Sequence, residues 1–152
     1  MRRRKVQYHR QVFHKDNEMP PFEEIDNTAD WAFRVSAPSI EALFTEGAES
    51  LYRMSGVQME PASGKIRKIL LSADDRESLF IQWLNELVFL LDRERLALHG
   101  IQIDQLTDTG LIASGHPAEV RSVGKYVKAA TYSGLRITQT DGVWQATVVL
   151  DV

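Results

Sequence analysis

The chain contains no cysteine. That excludes disulfides, thiolate metal sites and cysteine nucleophiles, and it is compatible with a reducing, intracellular setting. Long apolar runs are missing too. The longest candidate, Leu79 to Leu91, is interrupted by Gln82, Asn85 and Glu86 and is too short to span a bilayer. No apolar signal-peptide core follows the N-terminal arginines, so a cytoplasmic location is the expectation. There is no internal repeat and no low-complexity segment. No GxGxxG or Walker pattern occurs, so Gly110 and Gly115 build no phosphate loop. His99 and His116 lack a His-x-x-x-His partner or an Asp or Ser companion at a recognisable spacing, which assigns neither to zinc nor to catalysis.

What is present describes one ordinary globular domain with a basic leader. At 152 residues the chain suits a single core that needs no staples. The net charge of −3 hides an asymmetry. Arg2, Arg3, Arg4, Lys5, Arg10 and Lys15 crowd the first fifteen residues, leaving 12 basic against 21 acidic residues in the remainder, a net of −9. A body that acidic repels nucleic acid and suits cations or a basic protein surface. Met19-Pro20-Pro21 separates the arginine-rich start from the patterned chain. Residues 1–21 therefore read as a flexible basic arm rather than a transit peptide, and residues 22–152 as the domain.

Hydrophobic periodicity predicts α+β architecture, with two amphipathic helices on largely antiparallel or mixed sheet. Phe22 to Ile25 reads as a short strand before a turn at Asp26-Asn27. Asp30 to Ala37 alternates, with Trp31, Phe33, Val35 and Ala37 on the dry face and Asp30, Ala32, Arg34 and Ser36 on the wet one. Ser39 caps a helix that closes near Gly56. Lys65 to Ala73 reads as a strand. Asp74-Asp75 opens a second helix running to about Arg95, with Leu79, Phe80, Trp83, Leu84, Leu87, Val88 and Leu91 as its buried stripe. The rest is β: Leu96 to Leu106, Leu111 to Gly115, Tyr126 to Tyr132, Leu135 to Thr140 and Val143 to Asp151. Asp141-Gly142 is a hairpin signal.

Two acidic features carry the functional reading. Asp151 and Val152 follow the apolar run Ala146 to Leu150 directly. A side-chain carboxylate one residue from an α-carboxylate repels it unless a cation or donors intervene. Asp30 opens its strand on the wet face, as Asp151 ends the last one. Calcium or magnesium takes such oxygen ligands. The plainer reading is an exposed strand-end aspartate and a frayed terminus. Asp26 and Asn27 have a strong turn role of their own. Lys128 is either a solvated strand lysine or a counter-charge to the aspartates. A small metal-dependent hydrolase (a phosphoesterase) and an RNA-binding or chaperone-like module are alternatives, although no base or nucleophile stands near either aspartate in a known motif.

Four blocks in order resemble the archease family. Phe22 to Asp30, ending Asp26-Asn27-Thr28-Ala29-Asp30, is similar to its opening Asp-His-Thr-Ala-Asp signature. Trp83-Leu84-Asn85-Glu86-Leu87 resembles its second-helix motif. Lys128-Ala129-Ala130-Thr131-Tyr132 resembles its Lys-Ala-Val-Thr-Tyr-His block, and Trp144 to Val152 its last strand. The resemblance implies a non-enzymatic partner of an RtcB-type RNA ligase, which helps guanylylate the ligase's histidine for multiple turnover in tRNA splicing and RNA repair. It also implies a divalent metal, calcium before magnesium or manganese, held by Asp30, Asp151 and the backbone or terminal oxygen of Val152. Asp26 and Lys128 would take supporting roles. Contact with RNA would be indirect or through the arm, and the sequence sets no oligomeric state. Two positions depart from the pattern: Asn27 and Ser133 stand where the family carries histidine. A role needing imidazole there would be lost, since neither residue titrates near neutral pH. The carboxylate set survives. An extension beyond Val152 would be expected to disturb such a site.

Overall fold

The computed structural model describes residues 19–26 and 31–152, with Asp26 described by its backbone. β1 (Phe22–Asp26) and β2 (Trp31–Ala37) pair in antiparallel register, and β2 pairs onward with β9 (Val143–Asp151). The far edge of β9 carries β7 (Ala129–Thr131) and β8 (Thr138–Thr140) at its two ends. The second sheet is built on β6 (Gly110–Ser122). β5 (Leu96–Leu106) lies along one edge of it, and β4 (Arg67–Ser72) and the short β3 (Gln58–Met59) share the other. Every described pairing is antiparallel. Two helices, α1 (Ile40–Ser55) and α2 (Arg76–Phe89), each touch both sheets. The fold is α+β, as the periodicity predicts.

Local chemistry accounts for the helix ends. Ser39 accepts the Ala42 N–H at 3.0 Å at the start of α1, and Gly56 ends that helix at φ 64°, a left-handed conformation that suits glycine. Asp75 accepts the Ser78 N–H at 2.8 Å at the start of α2. Beyond Phe89 the chain keeps winding, now as one π-helical turn over Leu90–Glu94, closed by Arg95 in the left-handed region. The helical reach to about Arg95 is therefore correct, but the last turn is wider than an α-helix.

The core joins the predicted stripes. Leu43, Phe44, Ala48 and Leu51 of α1 and Leu79, Phe80, Trp83, Leu84 and Leu87 of α2 are fully buried with Phe33, Val35 and Val148. Trp83 donates its indole N–H to the Phe44 carbonyl at 2.8 Å, which lets a polar atom sit in the interior. Phe44 and Phe80 meet edge to face at 5.0 Å.

Several strand readings change. β2 is covered on both faces: Ala32 and Ser36, expected on the wet side, are buried. Residues just before β1 provide part of the cover, since the Ser36 N–H donates to Pro21 O at 3.0 Å and the Ser36 hydroxyl meets the Met19 sulfur. β6 runs well past Gly115, through Pro117. The expected strands Tyr126 to Tyr132 and Leu135 to Thr140 shrink to three residues each. Asp141 and Gly142 both take positive φ, 52° and 79°, the hairpin turn that an Asp-Gly pair favours.

Candidate functional site

Among the described residues, register brings Lys128, Asp151 and the adjoining Val152 to one end of the five-stranded sheet. Trp31 pairs with Leu150, and Leu150 with Ala130. In the next row Asp151 pairs with Ala129. The Lys128 N–H donates to the Asp151 carbonyl at 2.7 Å, extending the ladder by one bond. Asp151, Val152 and Lys128 are exposed there. Asp30 lies outside the described residues, as does Asn27. Asp30 immediately precedes Trp31, whose partner Leu150 immediately precedes Asp151. Asp26 belongs to the row of Trp31, Leu150 and Ala130, not to the row of Asp151. Ser133 is exposed, and its N–H donates to the Thr131 hydroxyl oxygen.

β7 is held in this corner from both sides. Its inner edge meets β9, where the Thr131 hydroxyl also donates to Val149 O at 3.1 Å. On its outer edge the Ala130 N–H donates to Asn85 Oδ1 at 2.7 Å, and Asn85 Nδ2 donates to Ala130 O at 3.1 Å. One side-chain amide thus does what a neighbouring strand would do. Ala130 is 3% exposed, so water cannot replace these bonds, and each group left unpaired would cost about 1–3 kcal/mol. A second tether lies in the first turn of α2, where Glu77 Oε2 accepts the Ile137 N–H at 3.1 Å. Lys125 closes the other side of the corner, its ammonium 4.4 Å from the Trp31 ring centroid.

The donors here are hard oxygens, which fits calcium or magnesium in kind. In number the described residues hold no cluster of three or more ligating side chains. Asp151 and Val152 would therefore need Asp30, water or a partner's oxygens to complete a shell. An open groove lined by Met19, Pro21, Ser36, Gln145 and Asp141 to Val143 lies at the opposite end of β2 and β9 and includes neither Lys128, Asp151 nor Val152.

Sequence spacing misses two arrangements. His99 and His116, without partners along the chain, stand opposite each other across β5 and β6, both exposed. Their separation of seventeen positions is set by the β5–β6 hairpin, which no helical ligand spacing reveals. Asn85 interrupts the apolar stripe of α2 between Leu84 and Leu87. That interruption is the signal that could have marked it, because a polar residue beside a buried stripe needs a partner.

Comparison with known proteins bears on the family and the fold. A family model described as "Archease protein family (MTH1598/TM1083)" matches residues 22–152. The chain belongs to the archease family. Among its archease relatives, the protein from Archaeoglobus fulgidus is 32% identical over 136 residues, covering 84% of this chain and 96% of the relative. The archease of Methanosarcina mazei is 29% identical over 145 residues, covering 86% and 95%. The solution structure of Methanobacterium thermoautotrophicum protein 1598 superposes with a TM-score of 0.62 at 28% identity, covering 88% of this chain and 100% of that one. A crystal structure of an archease from Thermotoga maritima, described as a possible chaperone, shares the fold with a TM-score of 0.63 at 22% identity, covering 90% and 99%. Three of the four archease-like blocks, around Asn85, Lys128 and Asp151, are joined in this chain by the hydrogen bonds just described.

Proposed function

We propose that this archease-family protein is a non-catalytic accessory factor that activates an RtcB-type RNA ligase, promoting guanylylation of the ligase and its multiple turnover in tRNA splicing and RNA repair. The observation that carries the reading is the sheet-end corner: Asp151 and Val152 emerge beside Lys128 within a chain whose whole domain matches the archease family. In this reading Asp30, Asp151 and an oxygen of Val152 hold a divalent cation, calcium foremost. When bound, the cation offsets carboxylate charge and accepts phosphate oxygens. Lys128 adds a positive charge at the same corner. The acidic body, net −9 without the first fifteen residues, complements a basic protein surface better than RNA. In this reading the nucleophilic histidine belongs to the ligase. No helix among the described residues is long and apolar enough to cross a membrane, and the reading places the pair in the cytoplasm.

The direct test follows covalent GMP transfer. The cognate ligase is incubated with GTP and divalent metal, with and without this protein, and the ligase–GMP adduct is measured over time. The proposal expects faster or more complete adduct formation with the wild-type protein and none of that gain with Asp151→Ala. Adduct formation unaffected by the wild-type protein would remove the proposal.

A further inference from the structure

We propose that Asn85 is a positioning residue for the candidate metal corner, acting through β7 on Lys128 and Asp151. The inference rests on the metal reading above, but its geometry stands by itself. β7 is only three residues long, and among the described residues β9 is its one strand neighbour. Its other edge is finished by the Asn85 amide, which takes both the N–H and the C=O of Ala130, at 2.7 and 3.1 Å. Two residues earlier, the Lys128 N–H grips the Asp151 carbonyl at 2.7 Å. The chain of contacts is therefore short and all main-chain at its far end: helix α2, Asn85, Ala130, Lys128, Asp151. Three-residue strands pair weakly unless something outside the ladder fixes them. Here that element is a buried helix whose neighbours Leu84 and Leu87 are fully packed.

The general chemistry supports such a role. Groups that orient metal ligands without touching the metal change affinity strongly when removed. Asparagine is the suitable residue, because it presents one donor and one acceptor in the spacing a strand edge requires. Aspartate has the same shape but loses the donor, and at neutral pH sets a carboxylate oxygen against the Ala130 carbonyl. Glu77 supplies an internal control. It tethers the Ile137 N–H from the same helix, yet lies away from Asp151.

The experiment uses the full chain in four forms: wild type, Asn85→Ala, Asn85→Asp and Glu77→Ala. Calcium binding is measured by calorimetry, and hydrogen exchange is followed at the Lys128 amide, which reports the corner without metal. Both Asn85 variants are expected to bind calcium about tenfold more weakly and to exchange the Lys128 amide faster. Glu77→Ala is expected to lose thermal stability while keeping wild-type calcium affinity and Lys128 protection. If Asn85→Ala does not fold, Asn85→Asp, which preserves packing volume, gives the same comparison. Asn85 variants that match Glu77→Ala in both readouts would overturn the proposal and reduce Asn85 to a general stabiliser. If wild type itself binds no calcium, the metal reading fails separately. The Lys128 amide then decides the positioning role: faster exchange in the Asn85 variants sustains it and equal exchange overturns it.

Discussion

Asp75 and Glu46 show opposite effects of the same charge. Hydrogen bonds from Ser78 to the Asp75 carboxylate hold its pKa below the ordinary 3.8. Folding therefore favours the ionised form, and this stabilisation is present at neutral pH and lost as pH falls through the lowered pKa. Asp75→Ala should lower Tm at pH 7, while Asp75→Asn, an equally good cap, should stay near wild type. Thermal melts across acid pH check both, with the Asp75→Ala deficit shrinking as Asp75 protonates. Glu46 is the reverse case. Burial raises its pKa above 4.5, with Glu49 adding to the rise and Arg53 opposing it. Its charge costs stability at neutral pH, and that cost fades as pH drops toward and below the raised pKa. Glu46→Gln should raise Tm at pH 7 and have little effect in acid. Among candidate site residues, Asp151 and Lys128 are legible in the sequence because strand alternation and motif order point to them. Asn85 is legible only as a polar break in the α2 stripe, because its partner is a main-chain edge forty-five positions away that no residue pattern identifies.

At the level of elements, the two helices approach closely at Gly47. A Cβ built on Gly47 of α1 would lie 2.7 Å from Phe80 Cζ, and that ring is fully buried against Phe44. Gly47→Ala should therefore destabilise the protein by about 1–3 kcal/mol through overpacking, even though alanine is intrinsically better in a helix by about 1 kcal/mol. Chemical denaturation would measure it, and a stabilised variant would show that the helices can separate. Helices and their caps were readable because their signals are local: Ser39, Asp75 and Gly56 act within a turn of themselves. Strand lengths were harder to read. The strand read as Leu111 to Gly115 in fact continues through Pro117 to Ser122. On the β3/β4 edge, β4 stops pairing at Gly115 and β3 begins at Val120, so the missing N–H of Pro117 falls in the gap between them. The carbonyl of Pro117 is taken instead by the Ser63 N–H at 3.1 Å. Conversely, Tyr126 to Val127 and Leu135 to Ile137 have strand composition but no ladder partner among the described residues.

For the whole molecule, the acidic domain and its archease fold fit a factor that meets a protein partner rather than one that grips RNA. Electrostatic attraction to a basic partner weakens as salt screens it. Association with the ligase should therefore loosen with rising ionic strength, and titration calorimetry at two salt concentrations would show it. The fold and the family membership were both legible, the first in periodicity and the second in four ordered blocks. The convergence of three of those blocks on one sheet end required the register of β7 on β9 and the Asn85 bridge from α2. The central claim is that this corner drives ligase turnover. Multiple-turnover RNA ligation by the cognate RtcB-type ligase, with wild type, Asp151→Ala or no added protein, tests it most directly. The account predicts many turnovers with wild type, about one per ligase molecule with Asp151→Ala or without the protein, and equal single-turnover ligation from pre-guanylylated ligase throughout. Turnover unchanged by wild type, or restored equally by Asp151→Ala, would contradict it.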